Sequence, residues 1–420
     1  MDVLVIGSGG REHALVRQFA KSPSVGSVYV APGNDGMKND AELVPIGVME
    51  FDKLSDFAKD HQIGLTFVGP EQPLAGGIVD HFKERGLRVF GPDKAAAQLE
   101  GSKAFAKELM KKYDIPTAKY ETFTDAGEAK AYIREQGAPI VIKADGLAAG
   151  KGVVVAMTLN EALEAVDDMI GNRKFGDSSS RIVIEEFLDG EEFSFMSFVH
   201  GGRIFPMPLS QDHKRAFDGD EGPNTGGMGA YSPVPHIPEK AVSAAYDQIV
   251  ERTVRAMEAE GSPFTGILYV GLILTENGPK TIEFNARFGD PETQVVLPQL
   301  RSDLAEFLTG LLDGSPEEPE WEEGACLGVV IAADGYPGNV QKGALLPELS
   351  RLEEAGLDVF HAGTKAEGER FAGNGGRVIL VSATADSLQE ASQKAYAALD
   401  SMEWPGFFYR SDIGNRGMKS

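Results

Sequence analysis

A chain of 420 residues, 42% hydrophobic and 25% charged, has an ordinary globular composition and is long enough for two to four packed units rather than one core. Its net charge of −24 excludes a broad electrostatic footprint for nucleic acid or anionic membrane, so phosphate-bearing ligands must be held by local sites. The single cysteine, Cys326, excludes an intramolecular disulfide or a thiolate cluster, and the absence of a basic leader or of a run of about 18 apolar residues points to a cytoplasmic protein.

Residues 1 to 98 alternate short apolar runs (Val3 to Ile6, Val28 to Val30, Leu65 to Val68, Val89-Phe90) with helix-like segments. Continuous runs of that length suit strands buried on both faces, so this region is expected to be a parallel α/β domain. Residues 99 to 325 change pattern. A small α+β lobe is expected at about 117–188, with helices Asp125 to Gln136 and Asn160 to Ile170 and strands Pro139 to Lys143, Gly152 to Ala156 and Ile182 to Ile184. A larger lobe at about 189–325 carries strands Glu192 to His200 and Tyr269 to Arg287, the second folded at Glu276-Asn277-Gly278, since Asn-Gly is a strong hairpin signal. The acidic, proline-bearing stretch Asp313 to Glu320 reads as an exposed boundary before a C-terminal α+β unit at 326–420, in which Leu327 to Ile331 bury Cys326. No heptads, internal repeats or low-complexity tracts occur.

Four motifs carry chemistry. Gly7-Ser8-Gly9-Gly10 joins a buried strand to a helix, so its backbone N–H groups can hold an anion; a plain tight turn is an equal reading. A dinucleotide fingerprint would need glycine where Glu12 stands, which counts against an NAD-dependent oxidoreductase. In Lys143-Ala144-Asp145-Gly146-Leu147-Ala148-Ala149-Gly150-Lys151-Gly152, glycines let amides approach phosphate oxygens while a lysine at each end neutralises charge; the bland alternative is a flexible hairpin. Ile182 to Leu188 is an apolar strand ending in carboxylates, followed by Glu191-Glu192, able to meet adenine with its backbone and ribose with an acid; alone it is better read as a solvated strand end. Glu283-Phe284-Asn285-Ala286-Arg287 sets a carboxylate, an amide and a guanidinium at every second position of a strand, hence on one face. Magnesium prefers such hard oxygen ligands, and a neighbouring arginine can stabilise a transferring phosphoryl group; a salt-bridged surface strand is the competing reading.

In this order the motifs resemble the ATP-grasp ligases, and along essentially the whole chain they resemble the glycinamide ribonucleotide synthetase family. The matching stretches are Gly7 to Leu15, Gly69-Pro70-Glu71-Gln72-Pro73-Leu74, Lys143 to Gly152, Gln211 to Arg215, Pro223 to Tyr231 and Glu283 to Glu292. The resemblance implies an α/β and α+β multidomain fold with ATP-grasp lobes. It also implies ATP-driven joining of glycine to 5-phosphoribosylamine through a glycyl phosphate, in a monomer or weak dimer. By the same resemblance, Lys103, Lys143, Gly146, Gly150, Lys151, Gly152, Glu185, Glu186, Phe187 and Glu192 would bind ATP. Glu283 and Asn285 would hold magnesium or manganese. Gly9, Gly10, Arg11, Pro70, Glu71, Asp212, Asn224, Gly226, Arg287 and Asp290 would face the substrates, with Arg287 and Lys143 as the catalytic cations. The loop from Gly146 to Gly152 is expected to be mobile without nucleotide and ordered over its phosphates. One departure stands out: where many ATP-grasp enzymes carry a further acidic ligand, this chain has Gly271, which puts a second metal ion in doubt. The competing readings are a formate- or bicarbonate-using purine ligase and a non-catalytic nucleotide-binding module.

Overall fold

The computed structural model describes residues 1–147, 152–172 and 180–419. Strands β1 (Val3–Gly7), β2 (Val28–Pro32), β3 (Glu42–Leu43), β4 (Leu65–Val68) and β5 (Val89–Phe90) form a parallel sheet in the order β3-β2-β1-β4-β5. Side chains alternate across it. Val3 and Val5 pack with Leu15 and Phe19 of helix Gly10–Lys21, whereas Leu4 and Ile6 pack with Leu54 and Phe82 from helices on the other face. Because β2 and β4 flank β1 on opposite sides, the strand order reverses at β1, and the loops leaving β1 and β4 border the crevice where open α/β sheets bind ligands.

Strands β6 (Tyr120–Phe123), β7 (Ile140–Ala144), β8 (Val153–Ala156) and β9 (Ile182–Glu186) make an antiparallel sheet in the order β6-β9-β7-β8. Helices Ala126–Gln136 and Leu159–Val166 bury Ala129, Ile133, Ala162 and Val166 against Ile142 and Ile184. Each helix starts where a side chain replaces a missing backbone acceptor: Asp125 accepts from the Glu128 N–H, and Thr158 with Glu161 forms a capping box.

The chain continues through β10 (Glu191–His200), β11 (Arg203–Pro206), the short strands β12 (Gln211–Asp212), β13 (Arg215–Phe217), β14 (Glu221–Asn224) and β15 (Gly229–Ser232), and the long hairpin β16 (Gly266–Thr275) and β17 (Gly278–Asn285). A third sheet runs β11-β10-β16-β17. Its hairpin turns at the Asn277-Gly278 signal, but it contains a bulge that periodicity alone does not reveal. Gly271 pairs with Glu283 and Leu272 with Thr281, leaving Ile282 out of register. The extra residue reverses the phase: Pro279 and Thr281 are buried before it, Phe284 and Ala286 after it. Glu283 and Asn285 thereby share the less buried face, and Arg287 follows two residues beyond the end of the strand.

The last region holds β18 (Ala325–Ala333), β19 (Asp358–His361), β20 (Thr364–Glu367), β21 (Arg370–Gly373), β22 (Arg377–Ala385) and β23 (Phe407–Phe408). Its main sheet runs β12-β15-β18-β22-β19, with β23 also on β18, so two of its strands come from far upstream. Strand β18 is buried throughout, and burial pushes the Cys326 thiol up to about 12. Residues 313–320 are largely exposed, as their composition requires. Among the described residues no helix is long and apolar enough to cross a membrane.

Candidate active site

The crevice at the strand-order reversal is built around Glu12. Gly7 leaves β1 at φ +135°, where a Cβ would lie 2.3 Å from Glu12 Cγ; one on Gly69, after β4, would lie 2.2 Å from Glu12 Oε1. Glu12 thus fills the notch that a further fingerprint glycine would open. Its Oε2 accepts the Gly9 N–H at 2.7 Å and its Oε1 pairs with Arg11 Nε at 2.7 Å. Arg11 Nη1 donates to the Phe288 carbonyl at 2.9 Å, tying the glycine loop to the exit of β17. Arg287 stands between two carboxylates, 2.9 Å from Glu100 and 3.4 Å from Glu71, the latter in the first turn of a helix entered through Pro70.

Asp290 borders the same crevice. A Cβ on Gly9 would come within 3.7 Å of its Oδ2, and one on Gly10 within 2.7 Å of Gln294 Nε2, which donates to Asp290 Oδ1 at 2.9 Å. Burial opposes ionisation of Asp290, but Arg377, 3.3 Å away, and Arg11 hold its carboxyl below the ordinary range. Arg377 Nη1 also donates to the carbonyls of Gly226 at 2.7 Å and Asp290 at 2.9 Å. Gly9, Gly10, Arg11, Pro70, Glu71, Gly226, Arg287 and Asp290 are therefore brought together. Asn224 is not drawn in with them: it stands exposed at the end of β14, paired in register with Arg215.

A second cluster lies where β7, β9 and β17 meet. Lys143 Nζ donates to the Ile282 carbonyl at 3.0 Å and forms an ion pair at 2.9 Å with Glu185 Oε1, though without an aligned hydrogen bond. Lys103 Nζ donates to the Gly146 carbonyl at 3.2 Å; burial lowers its ammonium pKa, and Glu283 opposes that shift. The Gly152 carbonyl accepts the Ala144 N–H at 2.8 Å, while Gly150 and Lys151 lie outside the described residues. Glu186 turns away to Lys280, 3.2 Å off, and Phe187 follows it half-buried. Glu192 pairs with Lys214 at 2.6 Å, and Lys214 holds its carboxyl below the usual range.

Burial and the carboxylates of Glu292, Glu192 and Glu283 push Asp212 up to about 7, against the pull of Lys214. Such an excess of acids is what a cation would neutralise, so the oxygen donors of Glu283 and Asn285 fit a hard divalent ion. Among the described residues no three histidine, cysteine or carboxylate side chains converge as a metal site. Gly271 sits opposite Glu283, where a Cβ would approach Glu283 Cγ to 3.1 Å.

Several residues of these clusters were not singled out from the sequence, among them Glu100, Lys214, Glu292, Arg377 and Lys107, which lies 3.1 Å from Glu185. Lys214 and Glu292 lie inside stretches that carry the family resemblance, and Lys107 follows Lys103 by one helical turn, a usable signal. Glu292, 3% exposed, accepts from Tyr269 Oη at 2.9 Å and Ser194 Oγ at 3.1 Å. Glu100 and Arg377 act through contacts distant in sequence and have no local signature.

A parallel sheet opening onto a glycine loop, an antiparallel lobe presenting the buried Lys143 and a carboxylate–amide strand facing both define an ATP-grasp ligase, a fold class whose enzymes use ATP and a divalent metal. The sequence matches the family descriptions "Phosphoribosylglycinamide synthetase, N domain" over residues 1–100, "ATP-grasp (A) domain" over 101–293 and "C domain" over 326–416. It is 58% identical over 418 residues to the phosphoribosylamine–glycine ligase of Halalkalibacterium halodurans, covering 100% of this chain and 97% of the relative. The solved phosphoribosylamine–glycine ligase of Thermotoga maritima superposes with a TM-score of 0.85 at 35% identity, covering 98% of this chain and 100% of that one. A biotin carboxylase domain from Hydrogenobacter thermophilus, solved with MgADP, shares the fold alone, with a TM-score of 0.73 at 18% identity and coverage of 97% and 91%. The chain belongs to the phosphoribosylglycinamide synthetase family.

Proposed function

We propose that the protein joins glycine to 5-phosphoribosylamine, giving glycinamide ribonucleotide, ADP and phosphate in purine biosynthesis. The observation that carries this reading is the shared face of Glu283 and Asn285 on β17, with Arg287 just beyond the strand, between the Lys103–Lys143 cluster and the crevice at β1. Gly10 offers its backbone N–H at a helix start to the phosphate of phosphoribosylamine, while Gly9, whose own N–H is held by Glu12, leaves room for a close approach. Asp290, kept ionised, and Glu71 can accept hydrogen bonds from the ribose or the amine. Lys103, Lys143 and Lys151 meet the ATP phosphates, Glu185 to Phe187 the base, and Glu192 the ribose.

Glu283 and Asn285 would hold magnesium or manganese, which would supply charge neutralisation for the nucleotide phosphates. Arg287 then faces the oxygens of the phosphoryl group as it moves to the glycine carboxylate. The amino acid falls to Asp212, since Asn224 stands exposed at the end of β14. The phosphoribosylamine nitrogen attacks the glycyl carbon, the carbon–oxygen bond to phosphate breaks, and inorganic phosphate leaves. No covalent enzyme nucleophile is required. The enzyme acts on these small molecules in the cytoplasm, as a monomer or weak dimer.

ADP release should require magnesium, glycine and freshly made phosphoribosylamine together. Equal release with formate or bicarbonate in place of glycine would reject the assignment.

A further inference from the structure

Helix Lys103–Lys112 places Lys107 one turn after Lys103, yet Lys107 is only 2% exposed. Its Nζ donates to Thr117 Oγ1 at 2.8 Å, lies 3.1 Å from Glu185 Oε2 and stands 5.5 Å from the centre of the Tyr120 ring. Thr117 Oγ1 in turn donates a hydrogen bond to the Thr281 carbonyl at 2.8 Å. On the other side of Glu185, Lys143 donates to the Ile282 carbonyl. Thr281 and Ile282 are the residue before the bulge in β17 and the bulge residue itself. The contacts therefore close a ring through Thr281, Thr117, Lys107, Glu185, Lys143 and Ile282.

The ring joins three elements that the chain supplies separately: a helix, the lid-lobe strands β7 and β9, and the strand bearing Glu283. A carbonyl left out of its ladder needs a donor when enclosed, and Lys143 supplies it. Two buried ammonium groups also face a single carboxylate, leaving one positive charge in excess. That is the sign a nucleotide phosphate would neutralise. Burial draws the Lys107 ammonium down to about 8, and Glu185 opposes that shift.

We propose that Lys107 is a positioning residue for the nucleotide: by fixing Glu185 and Thr117, it sets Lys143 and the bulge that turns Glu283 toward the cleft. The inference rests on the reading of Lys143 and β17 as the nucleotide and metal end of the site. In Lys107→Met, which keeps most of the side-chain length but removes the charge, Glu185 should turn wholly to Lys143 and draw it from Ile282. The KM for ATP and the half-saturating magnesium concentration should rise about tenfold or more, as when a group supporting a ligand shell is lost. The glycine KM should stay within about twofold, and Lys107→Arg should recover part of the loss.

Unchanged ATP and magnesium parameters in a folded Lys107→Met protein overturn the proposal, as does an equal rise in every KM. If that variant does not fold, Thr117→Val supplies the test, since it removes Lys107's acceptor and leaves every charge in place. It should raise the ATP KM about threefold, the worth of one hydrogen bond, and no change overturns the proposal. Lys143→Met separates the two levels of inference. If it leaves ATP use intact, the nucleotide reading and the role of Lys107 both fail; if it abolishes ATP use while the Lys107 and Thr117 variants behave as wild type, only the role of Lys107 fails.

Discussion

Burial acts on both Asp290 and Asp212, with opposite outcomes. Asp290, at the glycine-loop end of the cleft, faces Arg377 and Arg11 and stays below the ordinary carboxylate range. Asp212, on β12, faces Glu292, Glu192 and Glu283 with Lys214 opposing them, and rises to about 7. Arg11–Glu12 and Arg287–Glu100 continue the paired pattern of the first region. One end is thus organised before substrate arrives, whereas the other holds acids whose balance a ligand must complete.

The sharpest way to break this contrast is Glu283→Gln. Losing a hard ligand should cut turnover by roughly a thousandfold and weaken the magnesium dependence, because several kcal/mol of charge stabilisation depend on the metal's position. Folding should survive, since Glu283 is half-buried and forms no ion pair among the described residues. Near wild-type activity with an unchanged magnesium requirement would refute the metal role of β17.

Arg287→Met tests the paired end through stability. It strands Glu100, whose side chain is 7% exposed, and should destabilise the protein by about 3 kcal/mol at pH 8, as breaking a buried pair does. Burial already raises the Glu100 carboxyl in the folded protein, and losing Arg287 raises it further. A raised carboxyl favours the folded state most below its unfolded value and loses that advantage as pH climbs through the folded one. The defect should therefore shrink toward pH 5. Thermal melts of both proteins at pH 5 and pH 8 would decide, and an equal shift at the two values would contradict the argument.

The smallest effect concerns Asp212. A cation arriving with nucleotide lowers its carboxyl from about 7, so binding should release a fraction of a proton near pH 6 to 7 and tighten as pH rises through that range. Calorimetry of MgADP binding in two buffers of different ionisation heat measures that fraction. Asp212→Asn should abolish it; the same release from the variant would assign the proton to another group.

Much of this architecture is legible in the sequence because it is local. The apolar runs that form β1, β4 and β5 have one physical explanation, burial in a parallel sheet, and Asn277-Gly278 announces its hairpin. The bulge at Ile282 is not legible, because one unpaired residue leaves no mark on composition while reversing the side chains around it. Glu100 shows the other limit. It reads as an unremarkable acid before Gly101-Ser102-Lys103, and its importance comes from Arg287, far along the chain. Pairing of Tyr231 with Leu327 is equally silent, since neither strand carries a local signal for the other.

That last pairing bears on how the protein can be divided. The acidic stretch 313–320 looks like a natural place to cut the gene in two, yet a downstream piece beginning near Ala325 would lack β12 and β15 and present the wholly buried β18 as an open edge. An upstream piece would carry two orphan strands with nothing to join. Uncovered apolar edges of this kind recruit other chains, so each half made alone should aggregate, while the two made together can heal the sheet by pairing Gly229–Ser232 with Cys326–Val329. The exposed hinge marks a seam in the chain, not a seam in the fold.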